Sequence, residues 1–192
     1  MLYEKKTTVS LLMTTYWGEC ASLLEGSLEM TFRQSRAPDQ IVLVLDGAVG
    51  EDQEQVILRY QHDPRIKNLK VVRLPQNRGL AAALATGTQY CTSDWIMRMD
   101  SDDESVIERT ELQIAYASEH SEVDLIGTWA EEYSDANSNI RIKSSPVTHD
   151  ALVRGLKWRN LICHPSVMMR ACSLRAVGGS SGAKTHGWAN PK

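Results

Sequence analysis

The apolar residues of this chain form short continuous runs that alternate with helical spacings. Residues 9–15 and 41–45 are two such runs, the second rich in β-branched side chains. Runs of this kind predict strands buried on both faces, as the strands of parallel sheets are. Between them, Leu24, Leu28 and Phe32 recur at the spacing of one helix face, which predicts a helix over residues 20–34.

The same alternation continues through the next part of the chain. Further strands are predicted at residues 70–74 and 95–99, and helices at residues 52–60, from Gly79 onward, and at residues 106–119. Strand and helix thus alternate four times in succession. This order favours an α/β fold built on a mostly parallel sheet.

The last third of the chain is less regular. Two short runs on either side of residues 135–139 predict a hairpin, and Thr148 is a predicted N-cap of a short helix. Residues 166–170 predict a final strand, followed by a short helix that ends at Gly178-Gly179. We therefore expect one domain over residues 1–179 and an irregular tail over residues 180–192.

Composition narrows the classes of protein. A net charge of −3 without a Lys/Arg run argues against nucleic-acid binding. No apolar stretch approaches the roughly 18–20 residues of a membrane-spanning helix, and the start of the chain lacks the apolar segment of a secretory signal. The cysteines are widely spaced, which predicts free thiols and a cytoplasmic protein; they are Cys20, Cys91, Cys163 and Cys172.

Four acids crowd the stretch RMDSDDES at residues 98–105. Asp100 and Asp102 are separated by one residue, and alternate side chains of an extended segment point the same way, so both carboxylates can face one cation. Hard oxygen ligands suit Mg²⁺ or Mn²⁺. A solvated loop is the alternative. A calcium loop is disfavoured because Ser105 stands where its glycine is needed. We interpret Asp103 and Glu104 as capping the following helix.

Polar residues also follow the other predicted strands. Thr14 and Tyr16 come at the end of the first strand and Asp46 at the end of the second, although Asp-Gly is equally typical of a turn. Ligands of open parallel sheets bind beyond the carboxyl ends of the strands, so these residues are expected to meet Asp100 at one edge. Gly79 precedes a helix whose N-terminus favours anions. The dehydrogenase and P-loop glycine motifs are both absent.

The segments TTYWGE, IVLVLDG, LPQNRGLAAALATG, WIMRMDSDD, RNLICHPSVMMR and VGG occur in this order. In this the chain resembles the family 2 glycosyltransferases, especially the bacterial exopolysaccharide branch of the amylovoran type, over about residues 7–179. The resemblance implies the GT-A fold, a Rossmann-like three-layer α/β/α arrangement. It also implies a nucleotide-sugar donor, usually UDP-linked, a divalent metal, and a direct displacement that inverts the anomeric carbon.

Site roles follow from the resemblance, position by position. Asp102 matches the second acid of the family's D-x-D motif and is expected to ligate Mg²⁺ or Mn²⁺. Asp100 matches the first acid, near the ribose and the metal. Asp46 matches the acid that accepts a hydrogen bond from the base, and Thr14 and Tyr16 match residues that line the nucleoside pocket.

Two further positions complete this set. Arg78 lies near the position where the family contacts base or phosphate, and His164 matches a motif on the acceptor side. The family's acidic pair after Gly-Gly, which supplies the catalytic base, has no counterpart because no Asp or Glu follows Gly179. The base is therefore unassigned. The resemblance implies that residues 1–179 are the donor-binding part of an incomplete GT-A domain, and we expect a chain truncated at its C-terminus.

The resemblance also sets expectations about partners. We expect a glycan or lipid-linked acceptor, peripheral association with the inner face of the membrane, and a homodimer that covers exposed apolar surface. A non-catalytic nucleotide-sugar or metal-binding protein is the alternative function. A nucleotidyltransferase is disfavoured because TTYWGE is neither basic nor glycine-rich.

Overall fold

A computed structural model of the protein describes residues 6–132 and 140–177. Its strands are β1 Val9–Thr15, β2 Gln40–Leu45, β3 Leu69–Arg73, β4 Trp95–Arg98, β5 Leu125–Ile126, β6 Ala130–Glu132, β7 Arg141–Lys143 and β8 Met168–Arg170. Its helices are α1 Ala21–Phe32, α2 Glu51–Gln61, α3 Leu80–Thr88, α4 Arg109–Glu119, α5 His149–Leu156 and α6 Ala171–Ala176. A 3₁₀ turn spans His164–Ser166.

A six-stranded sheet forms the centre of the molecule, in the order β3-β2-β1-β4-β8-β5. The four strands from β3 to β4 are mutually parallel, with Leu12 of β1 between Val42 of β2 and Arg98 of β4. β8 runs antiparallel to both of its neighbours. The predicted α/β fold with a mostly parallel sheet is confirmed.

Helices cover both faces of this sheet. Leu11 and Met13 of β1 point to the face covered by α1, α2 and α4, where Leu24 and Leu28 are fully buried. Leu12, one residue out of phase, points to the opposite face with Ala83 of α3 and residues of α6. Because successive side chains of a strand alternate between faces, the continuous apolar run of β1 serves both cores at once. This is the expected three-layer arrangement.

The helix predicted over residues 106–119 begins later than expected. It starts at Arg109, and its N-cap residue Glu108 makes no side-chain capping hydrogen bond. Asp103 and Glu104 therefore do not cap it, and that interpretation was wrong. Instead the backbone carbonyl of Asp103 accepts a hydrogen bond of 2.7 Å from the Ser27 hydroxyl. The residues between β4 and α4 form a turn at the carboxyl edge of the sheet in which Met99, Ser101 and Ser105 are buried.

The predicted hairpin is confirmed in its two arms, since β6 and β7 pair antiparallel; residues 133–139 between them lie outside the described residues. Thr148 is the N-cap residue of α5, but its side chain makes no capping hydrogen bond. The final predicted strand is shorter than expected, and Ser166 belongs to the 3₁₀ turn. Gly178-Gly179 and the predicted tail also lie outside the described residues.

Helix α3 lies very close to the sheet because its residues are small. A Cβ built on Gly87 would fall 2.4 Å from Cδ1 of Leu12 and 2.7 Å from Cγ2 of Val44. Contacts this short require the strand side chains to move. Gly87 therefore sets the distance between α3 and the sheet, and with it the position of the helix start beside the carboxyl edge.

We expect Gly87→Ala to lower the free energy of unfolding by about 1–2 kcal/mol, because overpacking outweighs the gain in helix propensity. Gly26→Ala in α1 is the matched control, since its new Cβ would meet no atom within 4 Å. That control is expected to be neutral or to stabilise by up to about 1 kcal/mol. Urea denaturation of both variants measures the difference, and equal effects would contradict the packing argument.

Candidate functional site

A cavity of about 670 Å³ lies at the carboxyl edge of the parallel strands. Most of its walls come from the residues that directly follow β1, β2 and β4 and from the start of α3. The lining residues are Thr14, Thr15, Tyr16, Glu19, Asp46, Asn77, Gly79, Leu80, Ala83, Asp100, Ser101 and Asp102. The structure thus brings together five of the predicted site residues, namely Thr14, Tyr16, Asp46, Asp100 and Asp102.

Asp46 joins the end of β2 to the start of α3. Its buried carboxylate accepts hydrogen bonds from the backbone N–H groups of Arg78, at 2.7 Å, and Gly79, at 2.8 Å. Gly47 and Gly79 both have positive φ, and a Cβ on Gly47 would lie 2.7 Å from the backbone nitrogen of Asn77. The two glycines therefore let the loops meet, and each oxygen of Asp46 keeps a lone pair for a ligand.

The segment after β1 is fixed from α2. The Gln53 amide donates to the Thr15 hydroxyl at 3.2 Å and to the Tyr16 carbonyl at 2.9 Å, while its own oxygen accepts from the Gly50 backbone. Tyr16 is 43% exposed, and its ring meets the Trp17 ring edge-on. Gln53 thus fixes the backbone at Tyr16 beside the cavity, a role that its place in the sequence gave no reason to expect.

The acidic cluster has the geometry of a cation site. Asp100, Asp102 and Asp103 each offer a carboxylate oxygen, and the three atoms lie within 4.8 Å of one another. Burial, together with the charges of Asp100 and Asp102, raises the pKa of Asp103 to about 6. Three hard oxygen donors that repel one another fit Mg²⁺ or Mn²⁺, which would remove the repulsion. Asp103 belongs to this cluster, contrary to the capping role expected from its sequence position.

Glu19 is a cavity residue to which the sequence reasoning assigned no role. Its carboxylate accepts a hydrogen bond of 3.0 Å from the Ser101 hydroxyl. Burial raises the pKa of Glu19, and the charges of Asp102 and Asp100 act in the same direction. The signal was present in the segment TTYWGE, where an acid follows a strand end by four residues.

Two buried arginines offset the negative charge of the acidic cluster from the protein interior. Arg98, at the end of β4, pairs with Asp100, and among the described residues its Nε and Nη1 atoms have no hydrogen-bond partner. Arg109 of α4 donates to the carbonyls of Arg98 and Pro165 at 2.8 and 3.0 Å. Burial lowers the pKa of Arg109 to about 10, against the opposing charge of Asp103, so it remains a cation at neutral pH. The cluster therefore has fixed positive charge behind it.

Two predicted site residues lie apart from the cavity lining. Arg78 contributes its backbone N–H to Asp46, and its exposed side chain is not among the lining groups. His164, on the 3₁₀ turn, is exposed as well. Desolvation by neighbouring atoms lowers the pKa of its imidazole; Arg98 adds to this shift and Asp100 opposes it. His164 thus lies within electrostatic range of the acidic cluster without lining the cavity.

The three-layer fold with an acidic cluster at the carboxyl edge defines the class as a GT-A protein. The solved mannosyltransferase PcManGT from Pyrobaculum calidifontis, in complex with GDP-Man and Mn²⁺, superimposes with a TM-score of 0.65 at 17% identity, over 92% of this chain and 48% of that one. A family model for glycosyl transferase family 2 matches residues 10–177. The chain belongs to that family, as the sequence resemblance led us to expect.

Curated relatives agree with this assignment. The chain is 34% identical to the amylovoran biosynthesis glycosyltransferase AmsE of Erwinia amylovora over 169 residues, which is 88% of this chain and 62% of AmsE. It is 28% identical over 170 residues to the UDP-Gal:alpha-D-GlcNAc-diphosphoundecaprenol beta-1,3-galactosyltransferase of Escherichia coli, again 88% of this chain and 61% of the relative. The chain thus spans about three-fifths of these relatives.

The helices in the described part of the chain are all too short or too polar to cross a membrane.

Cys20, which precedes α1 beside Glu19, gives a chemical probe of this region. Hydrogen bonds from Ser22, first through its side chain, lower the pKa of the exposed Cys20 thiol below its ordinary value of 9.0. Burial instead raises the pKa of the Cys91 thiol to about 12. Because the thiolate is the nucleophile, we expect iodoacetamide to modify Cys20 at lower pH than an ordinary thiol and to leave Cys91 unmodified in the folded protein.

Mass spectrometry of labelled peptides over about pH 6–10 measures these rates. The matched variant is Ser22→Ala, which removes the side-chain hydrogen bond to Cys20. Its labelling profile at Cys20 is expected to shift to higher pH, while Cys172, at a distant exposed position, reacts as before. If Cys20 is labelled with the same pH profile in the wild type and in Ser22→Ala, then Ser22 does not lower the pKa of the Cys20 thiol.

Proposed function

We propose that this protein transfers a sugar from a nucleotide-diphosphate donor, UDP-linked, to a glycan or lipid-linked acceptor, with metal dependence and inversion at the anomeric carbon. One observation carries the proposal. The cavity at the carboxyl edge is lined both by Thr14, Tyr16 and Asp46, which we propose contact the nucleoside, and by the acidic pair Asp100 and Asp102. The first group would contact the base and ribose of a nucleotide-sugar, and the second group would contact its diphosphate through a cation.

The donor's nucleoside would occupy the part of the cavity between β1 and β2. The exposed ring of Tyr16 offers a face for the base, and the oxygens of Asp46 accept hydrogen bonds from base N–H groups while they remain bonded to the backbone. The choice of uracil follows the family resemblance and the UDP-Gal donor in the name of the Escherichia coli relative. Arg78 keeps its proposed role near base or phosphate because its backbone is tied to Asp46.

Asp100, Asp102 and Asp103 are the residues that would hold Mg²⁺ or Mn²⁺. When bound there, the cation supplies a Lewis acid that neutralises the charge developing on the departing diphosphate. Asp102 is the most exposed of the three and faces the cavity, so it presents its carboxylate to the donor side. Arg98 pairs with Asp100 from the protein interior and holds its carboxylate in place, so this side chain would reorganise less when the cation binds.

In an inverting displacement, an acceptor hydroxyl oxygen bonds to the anomeric carbon while the bond from that carbon to the diphosphate oxygen breaks. The hydroxyl must give up its proton to a base, which we leave unassigned. Glu19 is a carboxylate at the cavity with a raised pKa that we do not assign to the cation, and it is the first candidate to mutate. His164 keeps its proposed place on the acceptor side.

The central prediction is that UDP binds with Mn²⁺ or Mg²⁺ and that Asp102→Asn abolishes the metal dependence, since the variant loses a charged ligand without a change of size. Calorimetry of UDP binding with each metal and with EDTA measures it. Asp150→Asn, an exposed acid on α5, is the matched control and is expected to bind like the wild type. Metal-dependent binding retained by Asp102→Asn would overturn the assignment of the site. CDP, GDP and dTDP in the same experiment test the base.

We further propose a cytoplasmic location with peripheral association at the inner face of the membrane, where a lipid-linked acceptor would be found. The expected outcome is that the protein floats with vesicles that contain a polyprenyl-diphosphate sugar and stays behind with vesicles of the bulk lipid alone. Flotation on a density gradient followed by immunoblotting measures it. A protein that floats with neither vesicle would favour a soluble glycan as the acceptor.

A further inference from the structure

A second cavity, of about 500 Å³, lies between the hairpin and α5. Its volume falls in the range of about 300–1,000 Å³ typical of small-molecule sites. Two tryptophans, one arginine and two serines are among the residues that surround it. The lining residues are Trp129, Ser144, Ser145, Pro146, Ala151, Gly155, Trp158, Arg159 and Leu161.

The walls of this cavity are held by specific contacts. The Trp129 indole N–H donates to the Ser145 carbonyl at 3.0 Å, and the Ser145 hydroxyl donates to the Leu161 carbonyl. A Cβ on Gly155 would lie 2.1 Å from Cδ1 of Leu161, so α5 packs directly against the segment at Leu161. The Trp129 indole is thus fixed at its edge while 57% of the residue stays exposed, which leaves a ring face available.

The side chains of Trp158 and Arg159 do not stabilise the described part of the fold. Trp158 is 89% exposed just beyond α5, so its indole stabilises no described part of the core. Within residues 6–132 and 140–177, the Arg159 guanidinium has neither an ion pair nor a hydrogen bond. An exposed tryptophan beside an unpaired arginine at a concave surface has the composition of a binding site.

The chemistry of these groups selects a charged sugar. The flat faces of indole rings pack against the apolar C–H face of a pyranose, the serines and backbone carbonyls match sugar hydroxyls, and the guanidinium matches an acidic group. A lipid surface would fit less well, because only Trp158 projects freely outward, whereas Trp129 is held back against Ser145 and the two indoles cannot insert together.

The chain path places this cavity near the donor site. Leu161 lines the cavity, and His164 follows it by three residues, so their Cα atoms are at most about 11 Å apart. Pro165, the next residue, and Arg98, two residues before Asp100, both offer their backbone carbonyls to the same Arg109 guanidinium. The segment that leaves the second cavity is therefore tied to the strand end that carries the acidic cluster.

We propose that the cavity between Trp129 and Trp158 binds the acceptor, as a pyranose that carries a negatively charged group. The proposal rests on the proposed function. The charged group would come either from a phosphate on the anomeric carbon or from a carboxylate on the ring. Both would pair with Arg159 while the ring packs on Trp158.

The test is binding of three probes to the full 192-residue chain, measured by saturation-transfer NMR titration. The probes are α-GlcNAc-1-phosphate, methyl glucuronide and neutral methyl α-GlcNAc. We expect Trp158→Ala to weaken binding of every probe that binds by about tenfold or more, the size of effect typical of a buried aromatic contact. Arg159→Met is expected to reduce the charged probes to the level of the neutral one. The preferred charged probe identifies the source of the acidic group.

Controls separate this proposal from its alternatives. Tyr116→Ala, an exposed aromatic of α4, is expected to bind the probes like the wild type, and Trp129→Phe, which keeps a ring, to retain part of the affinity. UDP binding with Mn²⁺ is expected to be unchanged in Trp158→Ala and Arg159→Met. Wild type that fails to bind UDP yet binds sugars through Trp158 would overturn the proposed function and leave this site standing.

Three results would overturn the site itself. The first is an absence of sugar binding to the wild type, and the second is equal binding by wild type and Trp158→Ala. The third is loss in Trp158→Ala of binding to phosphatidylglycerol vesicles, or of self-association in sedimentation, without any effect on the sugars. That outcome would assign the tryptophans to a membrane or to a second copy of the chain.

Discussion

The compensation of an acidic rim by two buried arginines is the interaction on which the rest of the site depends. Arg109 reaches from α4 to the carbonyls of Arg98 and Pro165, so a single guanidinium ties a helix to the end of β4 and to the 3₁₀ turn. Arg98 in turn holds Asp100. Without this fixed charge, the three adjacent carboxylates would repel one another, and the turn after β4 would have to be held over the sheet edge by its neutral hydrogen bonds, such as that from Ser27 to Asp103.

The parallel sheet does the rest of the positioning. Strands β2, β1 and β4 are neighbours and parallel, so residues far apart in sequence arrive at one edge without any long-range contact of their own. The loops then lock on one another, as Asp46 does with the backbone at Gly79. The antiparallel strand β8 adds a different element, because its preceding turn brings His164 to the same edge from the opposite chain direction.

Much of this was predictable from the sequence, for identifiable reasons. The continuous apolar runs at β1 and β2 are typical of strands that are buried on both faces. The convergence of Thr14, Asp46 and Asp100 follows from the parallel arrangement of the strands alone. Asp103 was misassigned because acids before a helix look alike whether the helix starts three residues later, as predicted, or six residues later, as observed. Three features could not be predicted, because they depend on contacts between elements that are distant in the sequence. They are the roles of Gln53 and Glu19 at the cavity and the burial of Arg98. The roles given to all of the predicted site residues, those in the cavity as well as Arg78 and His164, remain predictions.

The position of β8 has a consequence for how the protein forms. Trp95 of β4 pairs with Arg170 of β8, while β1, the parallel partner of β4, precedes it in the chain. During synthesis at about 5–20 residues per second, the four parallel strands are complete several seconds before β8 emerges. Throughout that interval the outer edge of an entirely buried strand is unpaired, as amyloid-forming edges are. The nascent chain is therefore most vulnerable to aggregation after β4 is made and before β8 closes the edge.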